Sequence, residues 1–276
     1  MPLKDILVQL DASERSATRL GVAIDLARRY GAHLTGLHVA DVVFPVGVVP
    51  DATGAGMAMM YQQLRGTALE AAKGIERDFH EQLRRAGIPG EWRLVEGMAA
   101  EQVPLHARYA DLLVLGQDSP EGAGGLVEAA IFSAGRPVLV IPYAGQFTEI
   151  GQRVLVGWNG SREAARAVND ALPLLAEAAK VTVMAVNPRR GLQGEGDQPA
   201  EDLSRHLARH GLQVTAEHMV APEVGDGEAL LNAAAETSAD LLVIGAYGHS
   251  RLREMVMGGV TRTLLRSMTL PVLMSH

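Results

Sequence analysis

The chain contains no cysteine. Disulfides, thiolate catalysis and cysteine-ligated metal are therefore excluded, and the composition fits a reducing compartment. No apolar run approaches the ~20 residues needed to span a bilayer. The opening segment, MPLKDILVQLD, shows neither the apolar stretch nor the cleavage site of a secretory signal. Positive charge is also short, with a formal net charge of −7. Such a balance gives no general electrostatic reason to bind nucleic acid or an anionic membrane. These absences lead to the expectation of a soluble, cytoplasmic protein that engages neither.

What is present is an ordinary globular composition, 47% hydrophobic and 21% charged. At roughly 100–200 residues per domain, the 276 residues suffice for two cores. The sequence also repeats. The segment DILVQLDASERSATRLGVAIDLARRYGAHLTGLHV near the start has a counterpart in RVLVGWNGSREAARAVNDALPLLAEAAKVTVMAVN. Each runs as apolar strand, small polar turn with a serine, amphipathic helix and second apolar strand. The halves also end alike: ADLLVLG, a loop, GLVEAAIFSAG and RPVLVIP against ADLLVIG, a loop, GGVTRTLLRSM and LPVLMSH.

Apolar strands alternating with helices at this spacing predict βαβ units and a parallel sheet. Unbroken Val/Ile/Leu runs are expected where helices cover both faces. Strands are predicted near 5–10, 33–39, 91–96, 111–116 and 138–142, and near 153–158, 181–187, 213–220, 240–245 and 271–275. The fold class is thus α/β, two tandem five-stranded parallel-sheet domains with helices on both faces. The domains are expected at 1–146 and 151–276, joined by the polar stretch Ala144–Gln152. Asp41–Gly56, with Pro45, Pro50 and three glycines, reads as a loop, as does the shorter Gly191–Pro199. Ser13 and Ser161 stand where helix N-caps belong.

In an open parallel sheet, ligands bind outside the carboxyl ends of the strands, at the topological switch point. The loop after the fourth strand of the second half carries Gly245, Gly248, Gly258 and Gly259, followed by Val260 and Thr261. Glycine lets backbone N–H groups approach an anion, and a helix N-terminus supplies unpaired donors and a favourable dipole. Thr261 adds a hydroxyl, and His249, Arg251 and Arg253 add cationic character. The spacing matches neither G-x-x-x-x-G-K-[ST] nor G-x-G-x-x-G. Taken alone, the glycines fit a tight strand-to-helix connection equally well.

The pattern Gly245-x-x-Gly248, nine residues, Gly258 then resembles the ATP-binding signature of the universal stress protein family, G-x-x-G-x9-G-[ST]. The likeness covers the whole chain, twice. It implies the adenine nucleotide α-hydrolase-like fold, pairing through the fifth strands as an intramolecular pseudo-dimer, and a site for ATP, with or without magnesium. Carried over, Gly245, Gly248, Gly258, Gly259, Val260 and Thr261 hold phosphate, and Val186 lies beside the adenine. Asn159 takes the place of a usual aspartate and keeps an acceptor for a ribose hydroxyl. Gly259 in place of serine or threonine removes one hydroxyl, so weakened binding is expected. The first half keeps that aspartate as Asp11 but departs in its loop. Ser119 replaces a glycine, Pro120 removes a donor, and Asp118 and Glu121 would repel a triphosphate. That half is expected to be structural or to hold something other than ATP.

Other features have blander readings. His206 and His210, one helical turn apart, are expected on a solvated face, without the glutamate of a zinc motif. Ser13, Ser161 and Ser250 lie in no G-x-S-x-G elbow. Met57–Tyr61 is expected to be buried at a helix start, with an adaptable partner surface as the alternative. Trp158 fits stacking on a base and packing under the loop equally.

Three functions remain open. The first is a nucleotide-binding stress or signalling module with an unknown protein partner and scope for homodimerisation. The second is an interaction module that binds no nucleotide. The third is a slow ATPase or adenylating enzyme, for which no catalytic constellation is visible.

Overall fold

The computed structural model describes residues 2–42, 55–118, 125–188, 199–248 and 259–276. The first half runs β1 (Asp5–Gln9), α1 (Arg15–Tyr30), β2 (His33–Ala40), α2 (Ala55–Ala86), β3 (Gly90–Glu96), α3 (Ala99–Ala107), β4 (Leu112–Gly116), α4 (Leu126–Ser133) and β5 (Val138–Ile141). The second repeats the alternation as β6 (Arg153–Gly157), α5 (Arg162–Leu175), β7 (Lys180–Val186), α6 (Pro199–Arg209), β8 (Val214–Met219), α7 (Asp226–Glu236), β9 (Leu241–Gly245), α8 (Gly259–Ser267) and β10 (Val272–Ser275). The ten strands are those the apolar runs predict, with ends shifted by a residue or so.

All ten belong to one sheet, in the order β3-β2-β1-β4-β5-β10-β9-β6-β7-β8. Within each half every pair is parallel. Between the halves, β5 and β10 pair antiparallel, with Val138 opposite Met274, Leu139 opposite Leu273 and Val140 opposite Val272. Because side chains alternate along a strand, Leu139 and Leu273 enter one apolar cluster while Val138, Val140, Val272 and Met274 enter the other. Each cluster draws on both halves. Among the described residues, no helix is long and apolar enough to cross a membrane.

Several local expectations need correction. Glu14, not Ser13, is the N-cap of α1, and it makes no side-chain cap bond. The Ser13 N–H and hydroxyl turn instead to the Asp11 carboxylate. Ser161 does cap α5, accepting from the Ala164 N–H at 3.1 Å. Ala55 and Gly56, expected in a loop, open α2. Met59 is 75% exposed, so the methionine run is not the buried helix start that was expected. His206 is exposed on α6 and His210 is exposed just past its end. The joint between the halves is less polar than it reads, because Ile150 is fully buried and Arg29 Nη1 donates to its carbonyl at 2.8 Å.

A repeated carboxylate sets the start of each half. Asp240 precedes β9 and accepts from the N–H groups of Gly151, Gln152 and Arg153 at 2.7, 3.1 and 3.0 Å. Asp111 precedes β4 and accepts from Lys4 and Asp5 at 2.7 and 3.1 Å. Each carboxylate thus satisfies chain donors that no neighbouring strand reaches. Asp240→Ala is expected to lower stability by about 1–3 kcal/mol, the scale of leaving part-buried donors unpaired. Urea unfolding measures this, and an unchanged midpoint would remove Asp240 from the structural frame.

Candidate functional site

The sheet order reverses at β1/β4 in the first half and at β6/β9 in the second. At each reversal the helices leave the carboxyl ends of the two strands toward opposite faces, and the gap between them is a crevice. In the second half that crevice is a cavity of about 150 Å³, room for on the order of ten waters.

Five elements form its walls. The end of β6 contributes Trp158 and Asn159, and the end of β7 contributes Met184, Val186 and Asn187. Asp226 and Leu230 come from α7, while Gly245, Tyr247, Gly248, Gly259, Val260 and Thr261 come from the end of β9 and the start of α8. Of the residues singled out in the sequence, Asn159, Val186, Gly245, Gly248, Gly259, Val260 and Thr261 are therefore brought together. His249, Arg251, Arg253 and Gly258 lie outside the described residues.

The glycines permit close approach. A side chain at Gly245 would put its Cβ 2.3 Å from the Ala164 nitrogen, so α5 starts directly against the end of β9. At Gly248 a Cβ would stand 3.1 Å from both Ser161 Oγ and Glu163 Oε2. Gly259 has no such neighbour within 4 Å and opens α8 on the cavity side. Asn159 accepts from the Ser161 N–H at 3.2 Å, an Asx turn that fixes the loop after β6. Trp158 is half-buried, packed on the apolar core while also facing the cavity. The Thr261 hydroxyl is buried and accepts from the Tyr247 N–H at 3.3 Å, so it ties the turn together from within.

Sequence reasoning passed over several residues of the site, among them Asn187, Tyr247 and, behind the cavity wall, Glu163. Asn187 sits at φ 46°. It donates to Asp226 at 2.7 Å and accepts from Ala221 N–H at 2.8 Å, so it closes the β7 side of the cavity. Tyr247 occupies one of the unspecified positions of the glycine pattern, yet it is buried at φ 62°. Its spacing carried no signal; a non-glycine residue between two glycines was the available hint. Burial pushes the Tyr247 hydroxyl above its ordinary range, and the Glu128 carboxylate of the other half adds to the shift. Glu163, behind Gly248, is raised by burial, but Arg162 and the backbone outweigh this and hold it below the usual carboxylate range.

The same place in the first half is built differently. Asp118 aligns with Tyr247 and Gly125 with Gly259. The Asp118 carboxylate accepts from the Gly125 N–H at 2.8 Å and from that of Val127. An anion belonging to the chain itself thus sits at the start of α4, where a phosphate would bind a helix N-terminus. Burial raises the Asp118 carboxyl and these two N–H groups oppose the shift. Under Gly116, buried Arg19 donates to the Gln9 carbonyl at 2.7 Å and to Asp11 at 2.9 Å. Ser119, Pro120 and Glu121 lie outside the described residues.

The comparisons with known proteins agree across the full length. The model of the universal stress protein family matches residues 2–142 and again 151–276. A universal stress protein of Synechocystis is 25% identical, over 98% of this chain and 99% of its own. Among solved structures, a universal stress protein from Archaeoglobus fulgidus superposes with a TM-score of 0.78 at 17% identity, covering 98% of this chain and 95% of that one. One described as a putative universal stress protein from Pseudomonas aeruginosa gives 0.63 at 14% identity, covering 99% and 93%.

Two outcomes are expected from this geometry. Gly245→Ala should destabilise the chain by about 1–3 kcal/mol, because the new methyl meets backbone rather than a movable side chain; a stability equal to the parent would mean that the α5–β9 contact is looser than described. Asp11 is raised by burial, but Arg19 and Ser13 outweigh this and hold it low in the folded state. The stability it contributes is therefore present above the unfolded carboxylate value of about 3.9 and lost as pH falls through the lower folded value. Arg19→Met should accordingly cost more stability at pH 7 than at pH 3. An equal cost at both would show that the pair carries no pH dependence.

Proposed function

The chain belongs to the universal stress protein family, and from that premise we propose that its second half binds an adenine nucleotide, ATP with magnesium, as a ligand-responsive module. The observation that carries this reading is the cavity at the β6/β9 reversal, with glycines where side chains would intrude and the first turn of a nine-residue helix on its wall. The first four N–H groups of a helix have no partner within it, and its dipole favours an anion there. The phosphates belong at this end, against Gly245, Gly248, Gly259, Val260 and Thr261, with His249, Arg251 and Gly258 as further members of the set.

The base belongs two strands away, across β6, against Val186 and the apolar side chains of Met184 and Leu230. Two strand spacings are about 10 Å, a fitting offset between a base and its phosphates. The ribose then falls over β6, beside Asn159. The first half, with Asp118 already at the start of α4, takes no nucleotide. Its pairing with the second half through β5 and β10 makes the chain a pseudo-dimer in itself.

A nucleotide-independent interaction module is the second reading. It is favoured by Gly259 in place of a hydroxyl residue and by the engagement of the Thr261 hydroxyl within the turn.

Isothermal titration of nucleotide-stripped protein with Mg-ATP separates the two. We expect one equivalent per chain and roughly tenfold weaker binding, or worse, for Gly248→Val, a loss of 1.4 kcal/mol or more. The absence of heat with the parent protein would put the interaction module first. Two equivalents of similar affinity would overturn the reading of the first half. Unchanged affinity in Gly248→Val would move the site elsewhere.

A further inference from the structure

We propose that Phe132, a residue of the first half, is a positioning residue for the nucleotide site of the second half, acting through Tyr247. The proposal rests on the nucleotide reading given above. It goes further in making the site the joint product of both halves.

The topology brings the two residues together. Since β5 and β10 run antiparallel, the carboxyl ends of the second half's strands lie at the same edge as the amino ends of the first half's. The helix α4 descends from the end of β4 to the start of β5, so its last turn arrives at that edge. Phe132 stands in that turn. Its ring lies 4.4 Å from the ring of Tyr247, tilted by 33°. The ring of His276 closes edge-on against Phe132 at 4.9 Å, and His276 Nδ1 sits 3.1 Å from the Ala246 carbonyl. The two residues after β9 are thus held together, Tyr247 by Phe132 and Ala246 by His276, whose ring itself packs on Phe132.

Tyr247 needs such a hold. Its φ of 62° is a left-handed state that a residue with a side chain adopts only where its surroundings impose it. Among the contacts that hold it are the Phe132 ring on the side chain and Thr261 Oγ1 on the N–H. The residue is 8% exposed and lies between two glycines that line the cavity. The aligned position in the first half shows the alternative. There Asp118 extends to the first turn of α4 and occupies it. With the Tyr247 ring drawn across to Phe132, the first turn of α8 keeps its face to the cavity.

The test is a titration with Mg-ATP of the full chain and of Phe132→Ala, Phe132→Tyr, Tyr247→Ala and the Phe132/Tyr247 double variant, each with a thermal melt. Phe132 is 47% exposed, so its truncation leaves the fold intact. We expect Phe132→Ala to weaken binding about five-fold, the scale of a lost aromatic pair, with little change in the melt. Phe132→Tyr, which keeps the ring face, should bind like the parent. In the Tyr247→Ala background, removing the Phe132 ring should cost almost nothing more, because the two act as a pair. Parent-like binding by Phe132→Ala, or losses that simply add in the double variant, would overturn the proposal. Should Phe132→Ala not fold, Phe132→Leu, which keeps the bulk without the ring, carries the same two outcomes. Absence of binding by the parent chain is a separate result, which defeats the nucleotide reading and this proposal with it.

Discussion

Everything else in the structure depends on the antiparallel pairing of Val138–Ile141 with Val272–Ser275. Each half alone is a parallel sheet whose fifth strand would be an open edge, with unpaired N–H and C=O groups along it. Joining the two edges removes that liability and buries Leu139, Val140, Val272 and Leu273 completely. Each such side chain contributes roughly 1.5–3 kcal/mol in leaving water. The same pairing turns one half end for end relative to the other. The two strand-end crevices therefore open at opposite edges, and each lies next to the closing turn of the other half's last helix. Phe132 meets Tyr247 on one side. On the other, Gln117 Nε2 donates to the Leu265 carbonyl at 2.8 Å while its Oε1 accepts from the Tyr143 N–H at 3.0 Å. One strand pair thus accounts for the continuous core and for the cross-contacts at both crevices.

Duplication has left the frame alike and made the crevices different. Asp111 and Asp240 brace the two halves in the same way. Arg19, however, aligns with Ala167. In the first half a buried guanidinium fills the space under the end of β4 and ties Asp11 down, where the second half has a methyl group. Asp118 then satisfies donors at the start of α4 that a bound anion would otherwise satisfy. A buried guanidinium and a part-buried carboxylate are stable only when each is paired, which both are. At this place the first half is held by internal polar contacts.

Much of this was legible in the sequence, for identifiable reasons. Strands buried on both faces read as unbroken runs of Val, Ile and Leu, so all ten were found. The glycines of the β9 loop marked the crevice because only residues without Cβ fit beside Ala164 and Ser161. Local hydrogen bonding was less legible. Ser13 looked like a cap, but Asp11 two residues earlier competes for it. Helix starts near Met57 looked buried, yet the packing that decides exposure comes from elements distant in sequence. Least legible of all was the Phe132–Tyr247 contact. It joins residues in different halves, so no local spacing announces it.

Electrostatics adds a last constraint on how such a crevice attracts an anion. The chain is acidic overall, at −7. Among the described cavity-lining residues there is no lysine or arginine, and Asp226 supplies a carboxylate. Glu163 adds another behind Gly248, with Arg162 beside it to offset the charge. Net charge therefore gives no general pull on an anion here. Among the described residues, a positive local field comes from oriented backbone dipoles at the start of α8, which act only over the first turn and only at close range. That is why the glycines matter more than any one polar side chain: each permits an approach of a few ångströms that a methyl group would forbid. Between them, Tyr247 at φ 62° carries its ring to Phe132, whereas the aligned Asp118 reaches the first turn of α4.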